Sequence, residues 1–316
     1  MLRDKQVRFM YERGENIVNG IIPLMKPKGF TSHDCVQILR RLTKVRRIGH
    51  TGTLDPNVEG VLPICIGEAT KAIPFMQRLP KTYVAEVALG TSTTTEDADG
   101  DVTETVDIVD VPTEAELDQV LASFLGEIVQ IPPMYSAVRV RGKRLYEYAR
   151  EQLEVERPER RVTIHDIARL SEIKEGTEPR FTIEVTCSKG TYIRTLAVDI
   201  GKKLGYPAHL AYLQRTETDS FTLDDTVTLE ELEALAKEEA LHTVLLPIER
   251  GLAHLPVWKV SEKLKPRILS GQKLRRPKEI EGSPFSVMYQ DQLLAIYEEH
   301  KENEIKPVRV FNMHKE

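Results

Sequence analysis

Cysteine is scarce in this sequence, and the three that occur do not suggest a metal site. Cys35, Cys65 and Cys187 lie far apart, with no Cys-x-x-Cys pair, and the eight histidines form no cluster in sequence. A zinc site built from these ligands needs closely spaced pairs. We therefore interpret the cysteines as buried free thiols and expect neither a metal nor a cofactor.

Long apolar runs are also missing. No stretch approaches the ~20 residues that a membrane-spanning helix requires, and residues 1–16 are charged without the apolar centre of a signal peptide. We expect a cytoplasmic protein with no membrane partner. Residues 1–18 show no clear periodicity and are expected to be a flexible extension.

Charge is distributed unevenly along the 316 residues. The net charge is −5, yet ten Asp and Glu with no Lys or Arg fall within residues 92–118. Residues 259–278 instead hold eight Lys and Arg with Glu262 as the only acid. With 41% hydrophobic and 29% charged residues, the chain is typical of a globular protein. Its length allows one large domain and one small one.

The segment GHTGTLDPNVEG at residues 49–60 resembles an active-site loop. Its glycines permit backbone conformations closed to other residues, and Pro56 fixes the backbone directly after Asp55. Asp55 is thereby expected on a tight turn that leads into a buried strand. Because an aspartate is normally ionised at neutral pH, it could act as a nucleophile without an activating base. The alternative is that Asp55 only caps a turn, as Asp-Pro beside glycine often does.

Other stretches surround this loop with cations and aromatics. The apolar spacing after Thr31 and Ser32 predicts a capped helix, whose other face carries five cations. Alternation predicts a strand over residues 83–89, headed by Tyr83, and a second strand over residues 181–187 that leads through a glycine turn into a helix. Tyr192 and Arg194 fall at that strand-to-helix junction. Residues 139–150 again interleave cations with tyrosines, a pattern suited to stacking and phosphate contact. The five cations of the helix face are Arg40, Arg41, Lys44, Arg46 and Arg47.

The last part of the chain predicts a small β-rich module. Residues 247–255 are interpreted as a linker, followed by a short helix that stops at Gly271 and by strands near residues 285–288, 293–297 and 308–311. The basic residues of this module suggest RNA phosphate contacts, although a solvated basic surface would give the same composition.

Four separated motifs, in order, are similar to those of the pseudouridine synthases, and more narrowly of the bacterial tRNA pseudouridine synthase B family. They are KPKGFTS at 26–32, GHTGTLDPNVEG at 49–60, PPMYSAVR at 132–139 and SKGTYIR at 188–194. The resemblance implies an α+β fold, in which a mixed, largely antiparallel sheet with flanking helices forms the catalytic domain at 19–248. A PUA-like RNA-binding domain is implied at 249–316.

The resemblance also implies roles for individual residues. Asp55 corresponds to the nucleophile, Tyr83 to the tyrosine that stacks on the target base, and Tyr192 to a residue beneath the reacting base. Arg194 would pair with Asp55 and keep its carboxylate charged. His50 corresponds to a residue that occupies the space of a flipped nucleotide.

Three further residues, Lys26, Lys71 and Leu213, are expected to contact the substrate. The implied reaction isomerises the T-loop uridine at tRNA position 55, so the expected partner is the T-arm of tRNA, bound by a monomer. Whether Asp55 attacks the base or the ribose stays open.

Two other functions fit parts of the pattern. A protein that only binds or folds RNA would not require Asp55. An N-glycosidase would share the first bond cleavage, but such enzymes usually work with paired carboxylates, of which this sequence offers one. Release of free uracil would indicate hydrolysis, whereas an isomerised nucleotide stays in the RNA.

Overall fold

The computed structural model describes residues 19–174, 176–218 and 220–312. The extension predicted at residues 1–18 lies outside this part of the chain. The strands are β1 (Gly20–Lys26), β2 (Ile48–His50), β3 (Glu59–Ile66), β4 (Lys81–Leu89), β5 (Thr91–Thr93), β6 (Val102–Thr105), β7 (Gly126–Gln130), β8 (Arg139–Val140), β9 (Lys143–Arg144), β10 (Arg160–Arg169), β11 (Arg180–Cys187), β12 (Ala208–Thr218), β13 (Phe221–Thr222), β14 (Val257–Lys259), β15 (Leu274–Arg275), β16 (Phe285–Tyr289), β17 (Gln292–Lys301) and β18 (Glu304–Val310).

The α-helices are short or of moderate length. They are α1 (Ser32–Thr43), α2 (Ile73–Met76), α3 (Glu114–Ala122), α4 (Leu145–Arg150), α5 (Ile193–Leu204), α6 (Leu229–Lys237), α7 (Ile248–Gly251) and α8 (Lys265–Leu269). Three 3₁₀ turns lie at Gly67–Lys71, Leu223–Asp225 and Leu241–Val244. No helix in the described ranges is long and apolar enough to cross a bilayer.

Helix boundaries follow from capping chemistry. Thr31 is the N-cap of α1, where its hydroxyl accepts a hydrogen bond from Asp34 N (3.0 Å) and Asp34 Oδ2 accepts one from Thr31 N (2.8 Å). Such a capping box satisfies amide groups that the first turn cannot pair. Gly205 ends α5 in the left-handed conformation (φ 86°), which glycine adopts without steric cost. Of the two cap candidates in the sequence, Thr31 and Ser32, the structure uses Thr31.

The described chain divides into two compact units. One is continuous, Arg78–Thr218, and the other combines the residues before and after it. In the continuous unit, β12, β4, β11, β10 and β7 lie side by side in that order, and the pairings of β4, β10 and β11 are all antiparallel. Along β4, Tyr83, Ala85 and Val87 are buried, as the alternation predicted.

The discontinuous unit contains β1, β2 and β3 together with a five-stranded sheet. β3 pairs antiparallel with both β1 and β2, and the sheet order of the C-terminal strands is β14-β16-β17-β18-β15. One of those pairings, β14 with β16, is parallel. The predicted α+β class, with a largely antiparallel sheet and a β-rich C-terminal module, is confirmed.

Residues 247–255 do not form the open linker that the sequence suggested. They contain α7, and Ile248, Leu252 and Leu255 are buried in one core with Ile21 and Phe311. The three residues follow the i, i+4, i+7 spacing of a helical face, which the flanking prolines obscured. The C-terminal strands therefore share a core with β1 and β3. The predicted domain boundary at 248/249 remains a proposal.

Candidate active site

Asp55 lies on a tight turn anchored at both ends. Val58 N donates to Asp55 O (3.1 Å), so Pro56 occupies the second turn position, which its fixed φ suits. On the other side, Leu54 exchanges two backbone hydrogen bonds with the Ser32 hydroxyl, at 2.9 and 3.1 Å. Leu54 and Val58 are buried, whereas Asp55 is exposed. Asp55 thus lies on a tight turn that leads into β3, as the sequence predicted, and it is exposed there.

Lys26 fixes this turn from within the unit. Its side chain is fully buried, and Nζ donates to Val58 O (2.6 Å), Pro56 O (3.0 Å) and Pro27 O (3.0 Å). A buried ammonium is costly unless hydrogen bonds replace its water. Because Lys26 contacts the protein's own backbone, the geometry supports an indirect contribution through the Asp55 turn. Its predicted contact with substrate stays a prediction.

The other two predicted site residues of this unit have different settings. His50 is half-buried at the end of β2, opposite Ile64 of β3. Lys71 donates to Glu68 Oε2 and to Val310 O, both at 2.6 Å, and thereby joins the turn after β3 to the end of β18. These contacts are structural, so the substrate contact predicted for Lys71 gains no support from them.

In the continuous unit, Tyr83 and Leu213 lie on adjacent strands. Tyr83 of β4 is 9% exposed and stands opposite Val185 of β11 and Arg215 of β12. Leu213 of β12, which is half-buried, pairs with Ala85, two residues along from Tyr83. Side chains two positions apart share a face of a sheet. Tyr83 and Leu213 are therefore near each other within this sheet, and their contacts with a nucleotide stay predictions.

Tyr192 is held at the junction after β11. Gly190 adopts φ 90° in the turn, and Tyr192 occupies the N-cap position of α5 without a capping hydrogen bond from its side chain. The Gln130 side chain clamps its backbone, since Tyr192 N donates to Gln130 Oε1 (3.0 Å) and Gln130 Nε2 donates to Tyr192 O (3.2 Å). Gln130, a buried amide at the end of β7, was not predicted, since its place in the sequence, two residues before Pro132 and Pro133, gives no sign of burial.

Arg194 projects from the first turn of α5 into a cage of oxygens. Its Nη1 donates to Thr95 O (2.9 Å) and lies 3.4 Å from Asp97 Oδ2, and its Nη2 donates to Tyr135 O (2.9 Å). The side chain is 7% exposed. The planar guanidinium is thus held by two separate segments of the chain, the loop of residues 95–97 and the segment at Tyr135, which suits a group that must keep one orientation.

The next residue, Thr195, contacts the same loop. Its hydroxyl donates to Glu96 Oε2 (2.7 Å), and Arg157 lies 3.9 Å from Glu96 Oε1. Burial raises the pKa of the Glu96 carboxyl, against the lowering effects of the Thr195 hydrogen bond and of the nearby arginines. The sequence analysis assigned no role to Glu96 or Asp97, because carboxylates within an acidic stretch carry no sign that two of them turn inward.

The cysteines are buried free thiols, as predicted. Burial raises the pKa of the Cys187 thiol to about 11, so it is neutral at physiological pH and poorly suited to nucleophilic chemistry. Among the described ranges, no group of three or more His, Cys, Asp or Glu is arranged to hold a metal ion.

Clustered cations occur on each of the two units. On and after α1, Arg41, Lys44 and Arg46 face solvent. On α4 and the strand before it, Arg144 and Arg150 lie 5.7 and 5.3 Å from the Tyr146 ring centroid. Cations on aromatic faces are common in surfaces that stack bases and contact phosphates.

The predicted C-terminal basic cluster is partly engaged within the fold. Arg276 forms an ion pair with Glu299, and Lys265 donates to Gln292 Oε1 (3.0 Å). Lys263 and Arg275 are exposed.

Two family models match consecutive parts of the chain. The model for the TruB family pseudouridylate synthase N-terminal domain matches residues 40–193, and that for the tRNA pseudouridylate synthase B C-terminal domain matches residues 194–253. The chain is also 52% identical over 298 residues to the tRNA pseudouridine synthase B of Oceanobacillus iheyensis. That match covers 93% of this chain and 98% of the relative. The chain belongs to the TruB family of pseudouridine synthases.

Further matches agree with the family. The tRNA pseudouridine synthase B of Bacillus subtilis is 49% identical over 302 residues, covering 93% of this chain and 98% of the relative. Among solved structures, a chain of a Cbf5–Nop10–Gar1 complex has a TM-score of 0.71 at 28% identity, covering 93% of this chain and 84% of that chain. An archaeal box H/ACA Nop10–Cbf5 complex gives 0.72 at 26% identity, covering 98% and 90%. As a TruB-family member, this protein is a pseudouridine synthase, and therefore an isomerase.

Proposed function

We propose that this TruB-family protein converts the T-loop uridine at tRNA position 55 into pseudouridine. The reaction breaks the bond from uracil N1 to ribose C1′ and forms one from uracil C5 to C1′. A proton leaves C5 and N1 gains one, so atoms and electrons balance without an oxidant, reductant or cofactor. The choice of tRNA is supported by relatives that carry this activity in their names and match the chain over nearly its whole length.

The observation that supports the chemistry best is the Asp55 turn. Asp55 is an exposed residue on a loop that hydrogen bonds from the side chains of Ser32 and Lys26 hold in place. A nucleophile reacts with its target in one geometry. Because the turn that carries Asp55 is already fixed, less conformational entropy is lost in reaching that geometry. We assign Asp55 as the nucleophile and leave open whether it attacks the base or the ribose.

The remaining roles concern the flipped nucleotide. Extruding a base from a folded loop costs a few kcal/mol, and stacking on an aromatic ring recovers ~1–3 kcal/mol. We assign Tyr83 to that stacking, Tyr192 to the underside of the base where a proton is removed, and Arg194 to keeping the Asp55 carboxylate charged. His50 and Leu213 are assigned to substrate contact.

RNA binding is assigned to the cationic surfaces and to the C-terminal module at 249–316. The support is the β-rich sheet of that module and its exposed cations. We propose that a monomer binds the T-arm of tRNA in the cytoplasm, where tRNA is used. Light scattering of the protein, alone and with tRNA, would measure the stoichiometry.

The test is to incubate unmodified tRNA transcript with the protein and to locate pseudouridine by carbodiimide labelling. We expect one modified site, at position 55, and no free uracil by chromatography. Free uracil would indicate an N-glycosidase, and unmodified but tightly bound RNA would indicate a binding protein. Either result would overturn the proposal.

The matched variant is Asp55→Asn, which keeps the size of the side chain and removes its charge. We expect no turnover, with tRNA affinity within about one order of magnitude of wild type, or ~1.4 kcal/mol, because phosphate contacts supply most of the binding. Appreciable turnover by the purified Asn variant would refute the nucleophile assignment.

A further inference from the structure

One short loop holds two consecutive residues at the start of α5. Thr95 O and Asp97 Oδ2 lie 2.9 and 3.4 Å from Arg194 Nη1, while Glu96 Oε2 accepts a hydrogen bond from the Thr195 hydroxyl at 2.7 Å. Thr95 and Asp97 thus contact Arg194, while Glu96, which lies between them in sequence, contacts Thr195. Displacing Glu96 would therefore shift both contacts that Arg194 makes with this loop.

Glu96 has an unusual backbone conformation. Its φ is +65°, in the left-handed region of backbone conformation that residues other than glycine, asparagine and aspartate rarely adopt. Such a conformation persists where surrounding contacts determine it, and it occurs often at functional sites. Here Leu210 N donates to Glu96 O (3.0 Å), and the carboxylate is tied to Thr195. The turn turns the Glu96 side chain inward, although the stretch around it is acidic and mostly exposed.

A second arginine, Arg157, contacts the same two segments of the chain as Arg194. Arg157 donates to Pro132 O (3.1 Å) and lies 3.9 Å from Glu96 Oε1, just as Arg194 joins Tyr135 O to Thr95 O. Both arginines therefore connect the loop of residues 95–97 to the segment 132–135. Arg157 makes the more exposed of these two connections. The Glu96 carboxylate lies next to Arg157 and also accepts the hydrogen bond from Thr195, so it links this connection to α5.

We propose that Glu96 is a positioning residue that fixes the guanidinium of Arg194 by holding Thr195 and the 95–97 loop in register. The inference rests on the proposed function, because Arg194 matters to the reaction through the charge and placement of the Asp55 carboxylate. Glu96 itself need not touch the substrate. Losing its carboxylate should leave RNA binding intact and slow the chemical step.

The decisive measurements are single-turnover rates at saturating enzyme, with tRNA affinities measured separately. Glu96→Ala should slow the rate about tenfold to a hundredfold, since displacements of about 1 Å at a reacting group have effects of this size. Affinity should stay within about twofold. Glu96→Gln retains an oxygen that accepts from Thr195 and should restore most of the rate. Glu104→Ala, at an exposed acid on β6, is the matched control.

A double-mutant cycle separates positioning from general destabilisation. If Glu96 acts through Arg194, adding Glu96→Ala to Arg194→Lys should slow the reaction by no more than about twofold further. Rate losses that multiply in the double variant would overturn the proposal. So would a folded Glu96→Ala protein that reacts within about twofold of wild type.

Thr195→Val offers an independent route, because it keeps the shape of the side chain and removes only the hydroxyl. If Glu96→Ala fails to fold, a folded Thr195→Val protein should show the same loss of rate with unchanged affinity. An unchanged rate in Thr195→Val would refute the inference. Wild-type protein that forms no pseudouridine would instead refute the proposed function, so the two failures are distinguishable.

Discussion

Replacing Lys26 by Met tests whether the buried ammonium holds the Asp55 turn. Met preserves the length and apolar stem of the side chain and deletes the charge and the three donors. In the structure those donors reach Val58 O, Pro56 O and Pro27 O. We expect a folded protein with a modest loss of stability and a larger loss of catalytic rate.

The magnitude follows from which acceptors lose their partner. Pro56 O also accepts from Gly29 N (3.0 Å) and so keeps one hydrogen bond, whereas Val58 O accepts from Lys26 at 2.6 Å in a buried setting. One buried acceptor left without its donor costs about 1–3 kcal/mol. Removing the desolvated ammonium returns part of this, because burying a charge is itself unfavourable. The free energy of unfolding should therefore fall by about 1–2 kcal/mol.

The catalytic rate should fall more strongly than stability, because the turn that carries Asp55 would lose the hydrogen bonds that hold its backbone in place. A loss of positional restraint near 1 Å can slow a reaction about a hundredfold. Denaturant unfolding and single-turnover pseudouridine formation would be measured on Lys26→Met. Lys28→Met, at an exposed lysine of the same motif, controls for the lost charge. Equal rates in Lys26→Met and wild type would refute the reasoning, as would a rate loss that merely follows the unfolded fraction.

Three further predictions concern other parts of the molecule. Tyr83→Phe should retain base flipping because the ring face remains, and Tyr83→Leu should slow single-turnover catalysis more; equal losses would show that the hydroxyl matters instead. Burial raises the pKa of Glu249, whose Oε1 accepts from Leu293 N (3.0 Å). Its contribution to stability is therefore greatest below its ordinary pKa and declines as pH rises through the raised value. Glu249→Gln should accordingly raise the melting temperature at pH 7 but not near pH 4, and a gain that is independent of pH would contradict this. Neutralising exposed C-terminal cations should reduce the slope of log tRNA affinity against log salt by up to about 0.7–0.9 per lost phosphate contact; an unchanged slope would leave these residues with a role in solubility only. The cations to neutralise are Lys263, Lys273 and Arg275.

The RNA-binding role of the C-terminal module is better tested by substitution than by deletion, because deletion would damage the fold. Leu293, Ile296 and Phe311 are buried in one core with Ile21 and Cys65. A chain truncated after Arg250 would expose that core. Any loss of binding in a truncated protein would then report unfolding rather than lost phosphate contacts.

Local structure was largely predictable because it depends on residue type and spacing. The cap of α1, the buried face of β4 and the turn at Asp55 each follow from signals within a few residues. Contacts between residues far apart in the sequence were harder to predict. Arg194 binds the backbone oxygens of Thr95 and Tyr135, and backbone carbonyls leave no trace in the identity of a residue.

Burial was the second property that residue type did not reveal. Lys26 was expected to contact the substrate, yet it is the last residue of β1, and its buried ammonium donates to three backbone carbonyl groups. Residues 247–255 were likewise interpreted as a linker. Their apolar residues are in the core, because β1 and the C-terminal strands meet there. The sequence contained the periodicity, but only the tertiary fold supplied the surface it packs against.

The shared core of β1, β3 and the C-terminal strands also bears on how the chain is synthesised. Arg78–Thr218 is continuous, so this unit can complete its contacts while later residues are still being translated. The other unit needs residues from both ends of the chain, and pairings this distant in sequence form slowly. We therefore expect β1 and β3 to wait with exposed apolar faces until translation ends, which makes them the segments most in need of a chaperone. Proteolysis of ribosome-stalled chains ending near residue 260, in which about 40 residues still occupy the exit tunnel, should cleave residues 19–77 faster than 78–218, and equal protection of both would rule out this order of folding.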